Sequence, residues 1–207
     1  MKTTTMARLG ASIAVVAVFG PEFVSAATTD VQQEVARFYM QALAGDKTAV
    51  ELCIARLESA SHQEPGNQLA RVYLGSAYTL RSRDLSFGPK KLEALKHGLT
   101  LMDAAVAAAP DDPHVRLVRA HTTDSLPFFV GRKRATLDDF ELLLAAARKH
   151  PDEFKAPDLQ NIYLEAGNGW QARGEKARAV ELWQEGLRRS DNTAVAEKLR
   201  AAIARSK

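Results

Sequence analysis

The chain has 207 residues, of which 46% are hydrophobic and 26% are charged, values that favour a single folded domain over a disordered chain. Its formal net charge of +3 is too small an excess to indicate a nucleic acid partner. The single cysteine, Cys53, excludes an internal disulfide, so the fold must be stabilised by packing alone. Because Cys53 lies in an apolar helical run, we interpret it as a buried, unreactive thiol.

Residues 1–26 have the pattern of a secretory signal peptide. Lys2 and Arg8 give a positive start, the stretch from Leu9 to Phe19 is largely apolar, and small residues at 24–26 form a cleavage signature. The apolar stretch is shorter than the roughly 20 residues of a membrane span. An uncleaved anchor and an ordinary N-terminal helix are the alternatives. We predict export to the periplasm or medium, with a soluble mature domain over 27–207.

The remainder of the chain predicts helices only. Ala, Leu, Glu, Arg and Lys dominate, and alternating runs of Val, Ile and Thr are missing. Apolar residues recur at three- and four-residue spacing between breaks that contain Gly or Pro. The predicted helices cover about 30–44, 47–62, 66–82, 89–108, 113–125, 134–149, 157–172, 175–189 and 192–205.

The last full helix pair has small and large residues at regular positions. Gly167 and Ala179 are small enough to let two helices approach closely, and Gly174 permits a tight turn between them. The pattern reads Tyr163-x3-Gly167-x2-Trp170-x3-Gly174-Glu175-x3-Ala179-x3-Trp183-x2-Gly186. It closely resembles the tetratricopeptide repeat signature. This resemblance implies an all-α, right-handed solenoid of about four antiparallel helix pairs.

Other pairs resemble the repeat more loosely. Together with the last pair, they extend the likeness over most of residues 30–190. Leu74-Gly75-x2-Tyr78 fits a leading helix, the first helix of a pair. Residues 113–151 fit least, because Arg119 and Thr122 stand where the family prefers Gly and an aromatic residue. The helix at 192–205 would cap the last apolar face.

Residues Gly98 to Arg119 also resemble a group of uncharacterised exported bacterial proteins with this repeat. The shared string is Gly-x3-Met-Asp-x-Ala-Val-x3-Pro-Asp-Asp-x3-Arg-x2-Arg. This second likeness implies the same fold and no particular activity.

The family resemblance further implies that the leading helices line a concave groove that binds a peptide or a partner helix. In members that grip a C-terminal carboxylate, an Asn follows the Gly of the leading helix, as Asn168 follows Gly167. Leu164 stands where a helpful Lys would be, which argues against such a clamp and favours a mixed polar and apolar groove. Simple solvation of the Asn side chains is the alternative. The predicted groove residues are Arg116, Thr123, Asn161, Leu164, Asn168 and Gln171.

Two turns within consecutive pairs are longer than the turn at Gly174, and both join aromatic residues to basic ones. Because such turns lie along one edge of a solenoid, we predict one composite surface, apolar in the middle and cationic at its rim. Alternatively, the Phe rings cover the ends of their own helices. This predicted surface, called the turn patch below, consists of Phe87, Lys90, Lys91, Phe128, Phe129, Arg132, Lys133 and Arg134.

No catalytic or metal-binding pattern emerges from the sequence. His121, Asp124 and Ser125 are triad residue types, but neighbours on one helix do not easily adopt the relayed triad geometry. The histidines lack metal-ligand spacing, and no Gly-rich phosphate loop is present. We therefore predict no cofactor, no metal, no nucleic acid partner, and a protein or peptide partner in the cell envelope. The alternatives are an exported enzyme that uses His121, Asp124 or Arg132, and a membrane-surface adaptor that uses the turn patch.

Overall fold

The computed structural model describes residues 26–189 and 194–206, with side chains from residue 32, and these ranges contain α-helices, short turns and no β-strand. The helix ends lie within four residues of the predicted ones. Most of the predicted signal peptide lies outside the described residues. The helices are α1 (Ala26–Leu43), α2 (Lys47–Gln63), α3 (Gln68–Asp84), α4 (Pro89–Ala108), α5 (Pro113–Asp124), α6 (Lys133–Lys149), α7 (Ala156–Ala172), α8 (Lys176–Leu187) and α9 (Ala194–Arg205).

Consecutive helices form four antiparallel pairs, and α9 packs against the last pair. The leading helices are α1, α3, α5 and α7. Two short 3₁₀ turns, Phe128–Val130 and Pro151–Glu153, interrupt the connections on either side of α6. Within the described ranges, no helix combines the length and the hydropathy that crossing a membrane requires. The predicted all-α solenoid is confirmed.

Helix starts are fixed by side chains that accept hydrogen bonds from free backbone amides. Asp46 accepts from the amides of Thr48 and Ala49 at the start of α2. Asp112 does the same at the start of α5, where Pro113 occupies the first helical position. A short polar side chain and a proline at these places are strong start signals. The starts of these helices are therefore fixed by local hydrogen bonds.

Small residues bring paired helices into contact. A Cβ atom on Gly98 of α4 would lie 2.5 Å from the carbonyl oxygen of Gly75 on α3, so the two backbones touch where the helices cross. The buried side chains form three neighbouring clusters, from α1–α5, α5–α8 and α7–α9. Cys53 lies fully buried in the first cluster, and burial raises the pKa of its thiol to about 12. The thiol is therefore protonated at neutral pH.

The third pair, which departs most from the repeat signature, contains a buried ion-pair network. Arg119 donates to both carboxylate oxygens of Asp139 at 2.6 and 2.8 Å, and Arg116 donates to one of them at 2.7 Å. The side chain of Asp139 is only 1% exposed. Arg119 stands where the repeat signature has a Gly. Its larger side chain is accommodated by the carboxylate of Asp139 on the paired helix α6. Both arginines are held by Asp139, and their role here is structural.

Candidate partner-binding cleft

The predicted groove residues of α5 are engaged inside the protein. Thr123 is 3% exposed, and its hydroxyl donates to the carbonyl oxygen of Arg119 at 2.8 Å. Arg116 is committed to Asp139 and to the carbonyl oxygen of Pro110. A partner molecule would have to displace these bonds in order to use either side chain.

On α7, the predicted groove residues are partly covered by α8 and α9. Leu164 is 5% exposed and Asn161 is also buried. The amide of Gln171 donates to the hydroxyl of Ser206, just after α9, at 3.2 Å. Asn168 donates to Glu165 at 3.0 Å on its own helix. The structure therefore does not leave Thr123, Leu164 and Asn161 free for a partner, and the groove prediction now depends on Asn168 and Gln171.

The turn patch, in contrast, opens onto a distinct cleft. Phe87 and Phe129 are 89% and 86% exposed, and Phe128 beside them is 82% exposed. The rings therefore do not fold back over their own helices. Phe87 and Phe129 instead line one cleft of about 410 Å³, which we call the turn cleft. Its volume is within the roughly 300–1,000 Å³ range of sites that bind small molecules or side-chain anchors.

The walls of the turn cleft are mainly apolar. They are formed by the C-terminal ends of α1, α3 and α5, the start of α4, and the two long turns at 85–88 and 125–132. The apolar lining side chains are Leu43, Leu80, Phe87, Leu92, Leu95, Leu126, Pro127, Phe129 and Val130.

A line of hydrogen-bonded hydroxyl groups joins three leading helices beneath the cleft. The Tyr39 hydroxyl on α1 lies 2.7 Å from Ser76 Oγ on α3, which lies 2.8 Å from Thr122 Oγ1 on α5. Burial raises the pKa of Tyr39 to about 12, so its hydroxyl stays neutral. These polar groups satisfy one another, and they bring no charge to the cleft.

His121 is a titratable group among the residues that line the cleft. Burial lowers the pKa of its imidazole to about 4, against a smaller opposing effect of Asp124. Its ring meets Phe140 edge to face, with ring centroids 5.8 Å apart. The imidazole makes no hydrogen bond to any described residue, so it offers a bound molecule one neutral donor and acceptor. Ser125 donates to the Thr122 carbonyl at 2.7 Å instead of to the imidazole, and no triad forms.

Three cations at this edge bind the C-terminal ends of the leading helices. Arg83 donates to the carbonyl oxygen of Ala42 at the end of α1 at 2.9 Å. Lys91 donates to that of Ser82 on α3 at 2.7 Å, and Lys133 to that of Asp124 on α5 at 3.2 Å. Helix C-termini carry unsatisfied carbonyls and partial negative charge. Lys91 and Lys133 of the turn patch are therefore structural caps as well as surface charges.

The other cations of the turn patch divide into paired and unpaired ones. Arg132 forms an ion pair with Asp103 of α4 at 2.8 Å. Lys90 and Arg134 are exposed and form no ion pair with any described residue. The rim of the cleft thus has fewer free cations than the sequence predicts: Lys90 and Arg134 are the members of the turn patch for which the described residues provide neither a carboxylate partner nor a helix end.

Sequence reasoning missed the wall that α1 contributes to the cleft. Tyr39 and Leu43 lie at the end of the first leading helix and reach the cleft because α1 packs beside α3. No local signal identifies them, although Tyr39 is a polar aromatic residue on an otherwise apolar face. Among the residues that the structure describes, no group of three or more His, Cys, Asp or Glu side chains could hold a metal ion.

No protein-family model matches the chain, and the curated proteins give no match. Among solved structures, the chain is similar to TTC0263, a thermophilic TPR protein of Thermus thermophilus. The TM-score is 0.59 at 15% sequence identity, over 87% of this chain and 84% of that one. At this identity the likeness shows the fold alone: the chain is a tetratricopeptide-like helical repeat protein.

Proposed function

We propose that this protein is a non-catalytic interaction module that binds a protein partner through the turn cleft. The observation that carries the proposal is the exposure of Phe87 and Phe129 at the mouth of an apolar cleft. Large exposed aromatic groups beside an apolar pocket are typical of the anchor points of protein interfaces. Burial of apolar side chains of the partner would supply most of the affinity.

The geometry favours the turn cleft over the concave groove as the main binding surface. Half of the predicted groove residues are buried, and Arg116 is held by Asp139. The cleft, however, exposes large apolar side chains at its mouth. We therefore propose that the groove at Asn168 and Gln171 supplies secondary polar contacts.

An anionic membrane surface is the second candidate for the turn patch. Sequence-readable lipid sites contain about four to eight basic residues that are free to meet headgroups. Here Lys91 and Lys133 bind helix ends and Arg132 binds Asp103, which leaves Lys90 and Arg134. This number of free cations supports a protein partner over a lipid layer.

Site-specific photocrosslinking in intact cells tests the proposal. A photoreactive phenylalanine analogue at position 129 should give discrete crosslinked protein bands, identified by mass spectrometry. The matched control places the analogue at Leu142, an exposed apolar residue on α6 that does not line the cleft. Equal labelling at both positions, or sedimentation of the protein with anionic vesicles in place of a crosslink, would contradict the proposal.

We also propose that the protein acts in the cell envelope, which rests on the signal-peptide pattern of residues 1–26. The intact mass of the protein purified from its own cells tests this. A mature chain that begins at Ala27 is the expected result. A chain that retains Lys2 and Arg8, recovered from the cytoplasm, would contradict export without affecting the proposal for the turn cleft.

A further inference from the structure

We infer that the interior of the turn cleft binds a neutral, largely apolar small molecule with one hydrogen-bonding group, which His121 holds in place. This inference goes beyond the proposed function, because it concerns a ligand inside the cleft and does not depend on a protein partner at the mouth. It rests on three features of the lining residues: their mainly apolar character, the engagement of their charged groups within the protein, and one imidazole without a partner.

The charged side chains that line the cleft are held by the protein itself. The ammonium group of Lys91 donates to three backbone carbonyl oxygens in the last turn of α3 and just after it, at 2.7, 3.1 and 3.3 Å. An ammonium group has three donors, so none is left for a ligand. Arg83 likewise binds the carbonyl oxygen of Ala42 and the carboxylate of Asp84. No carboxylate is among the described residues that line the cleft. A charged ligand would therefore lose its hydration without meeting a free group of opposite charge.

His121 differs from these side chains because its imidazole makes no hydrogen bond to any described residue. The ring packs edge to face against Phe140, and burial lowers its pKa to about 4, so that it is neutral at physiological pH. A neutral imidazole has one N–H donor and one acceptor nitrogen. The nearby hydroxyl groups of Tyr39, Ser76 and Thr122 bond to one another. A polar group of the ligand would therefore be recognised at the imidazole, whose unmade hydrogen bonds are costly in apolar surroundings.

The size and the walls of the cleft define the rest of the molecule. A dry apolar cavity of about 150 Å³ holds one benzene molecule. The turn cleft, at about 410 Å³, therefore has room for roughly two to three aromatic rings or a hydrocarbon of similar volume. Its walls consist mainly of Leu, Pro, Val and Phe side chains, which favour an apolar body. A mainly apolar cleft with few polar groups is the usual composition of a small-molecule site.

Two fluorescent probes with the same aromatic skeleton test the inference. N-phenyl-1-naphthylamine is neutral, has three aromatic rings and carries one N–H donor. 8-Anilinonaphthalene-1-sulfonate adds an anionic sulfonate to the same rings. Fluorescence titration of the purified protein should show saturable binding of the neutral probe at one site per chain. The sulfonate should bind about tenfold more weakly, because its charge would be desolvated without a free counter-charge.

Variants of His121 locate the bound probe. The competitor 1-benzylnaphthalene has a CH₂ group in place of the N–H of the neutral probe. H121L removes both ring nitrogens, so the preference for the N–H compound over this competitor should fall about fivefold, the value of one net hydrogen bond. H121Q, whose amide has both a donor and an acceptor, should retain most of the preference. H62L makes the same change at an exposed histidine of α2 that does not line the cleft, and it should bind both compounds like the unaltered protein. Circular dichroism checks that each variant is folded.

The outcomes separate this inference from the proposed function. Equal or tighter binding of the sulfonate to the unaltered protein would overturn the inference, since Lys91 or Arg83 would then be free to meet an anion. An unchanged preference for the N–H compound in H121L, or no saturable binding at all, would overturn it as well. The photocrosslink at position 129 tests the proposed function separately. A crosslink without probe binding would leave the protein partner in place, and probe binding without a crosslink would support the ligand site alone.

Discussion

The indole ring of Trp183 occupies the space that a side chain on Gly167 would need. A Cβ atom on Gly167 would lie 2.3 Å from Trp183 Nε1, and this nitrogen donates to the carbonyl oxygen of Leu164 at 3.1 Å. The fully buried ring is thereby fixed across α7. The close approach of α7 and α8 at this point depends on the absence of a side chain on Gly167.

Replacing Gly167 by Ala should therefore destabilise the protein by about 3 kcal/mol, since a rigid, hydrogen-bonded ring cannot move aside for a methyl group. Urea denaturation followed by circular dichroism measures the change. Gly66 is the matched control, because a Cβ atom there meets no atom within 4 Å. A G167A variant as stable as G66A would show that the α7–α8 contact can relax.

The contact of Gly167 with Trp183 was predictable, because both residues belong to a local signature with fixed spacing. The partner of Arg119 was not, because Asp139 lies twenty residues away and sequence patterns do not pair charges at that distance. Helical periodicity placed Thr123 and Leu164 on the leading helices, as observed, but it does not reveal how deeply a neighbouring helix buries them. Predicting the turn cleft requires both the local sequence pattern and the packing of helices that are distant in the sequence. Its aromatic turns were visible in the sequence, and the wall from Tyr39 and Leu43 was not.

The buried ion-pair network makes a second prediction. Replacing Asp139 by Asn should destabilise the protein by about 3–5 kcal/mol, because Arg116 and Arg119 would lose the charge that compensates their burial. Asp138 is the matched control, since it is the neighbouring residue and does not belong to the network; D138N should change stability by less than about 0.5 kcal/mol. Thermal and urea unfolding of both variants measure the difference. Equal stability of the two would mean that the arginines find other partners.

Asp158, in the first turn of α7, should favour the folded state less as the pH rises. Burial raises the pKa of its carboxyl group from 3.8 to about 6, against an opposing effect of Lys155. The folded state therefore holds the proton more tightly than the unfolded chain, and this stability is lost as the pH rises through about 6. D158N should gain stability relative to the unaltered protein by roughly 1–3 kcal/mol between about pH 4 and about pH 7. Urea titrations across this range measure the gain. A difference that stays constant with pH would contradict the burial of an ionising carboxyl group.

The contribution of His121 to stability should change with pH in the opposite direction to that of Asp158. Because burial lowers the pKa of its imidazole from 6.5 to about 4, the unfolded chain takes up a proton first as the pH falls below about 6.5. The histidine therefore reduces stability towards acid, where Asp158 increases it, and the two effects largely cancel in the unaltered protein. Between about pH 4 and about pH 7, the stability of H121Q should fall with rising pH and that of D158N should rise. Urea titrations of the two single variants measure these slopes, and slopes of the same sign would assign the pH dependence to other groups.

The exposed rings of the turn cleft lead to the last prediction, which separates a binding surface from a structural one. Phe87 and Phe129 make few contacts that unfolding would lose, so the F87S/F129S variant should unfold within about 0.5 kcal/mol of the unaltered protein. If the rings anchor a partner, the same variant should lose the photocrosslink, introduced for this purpose at Leu126 in the wall of the cleft. An L142S variant, which removes an exposed apolar side chain of α6, should keep both the stability and the crosslink. Loss of stability with an intact crosslink would show that the rings support the fold and that the partner binds elsewhere.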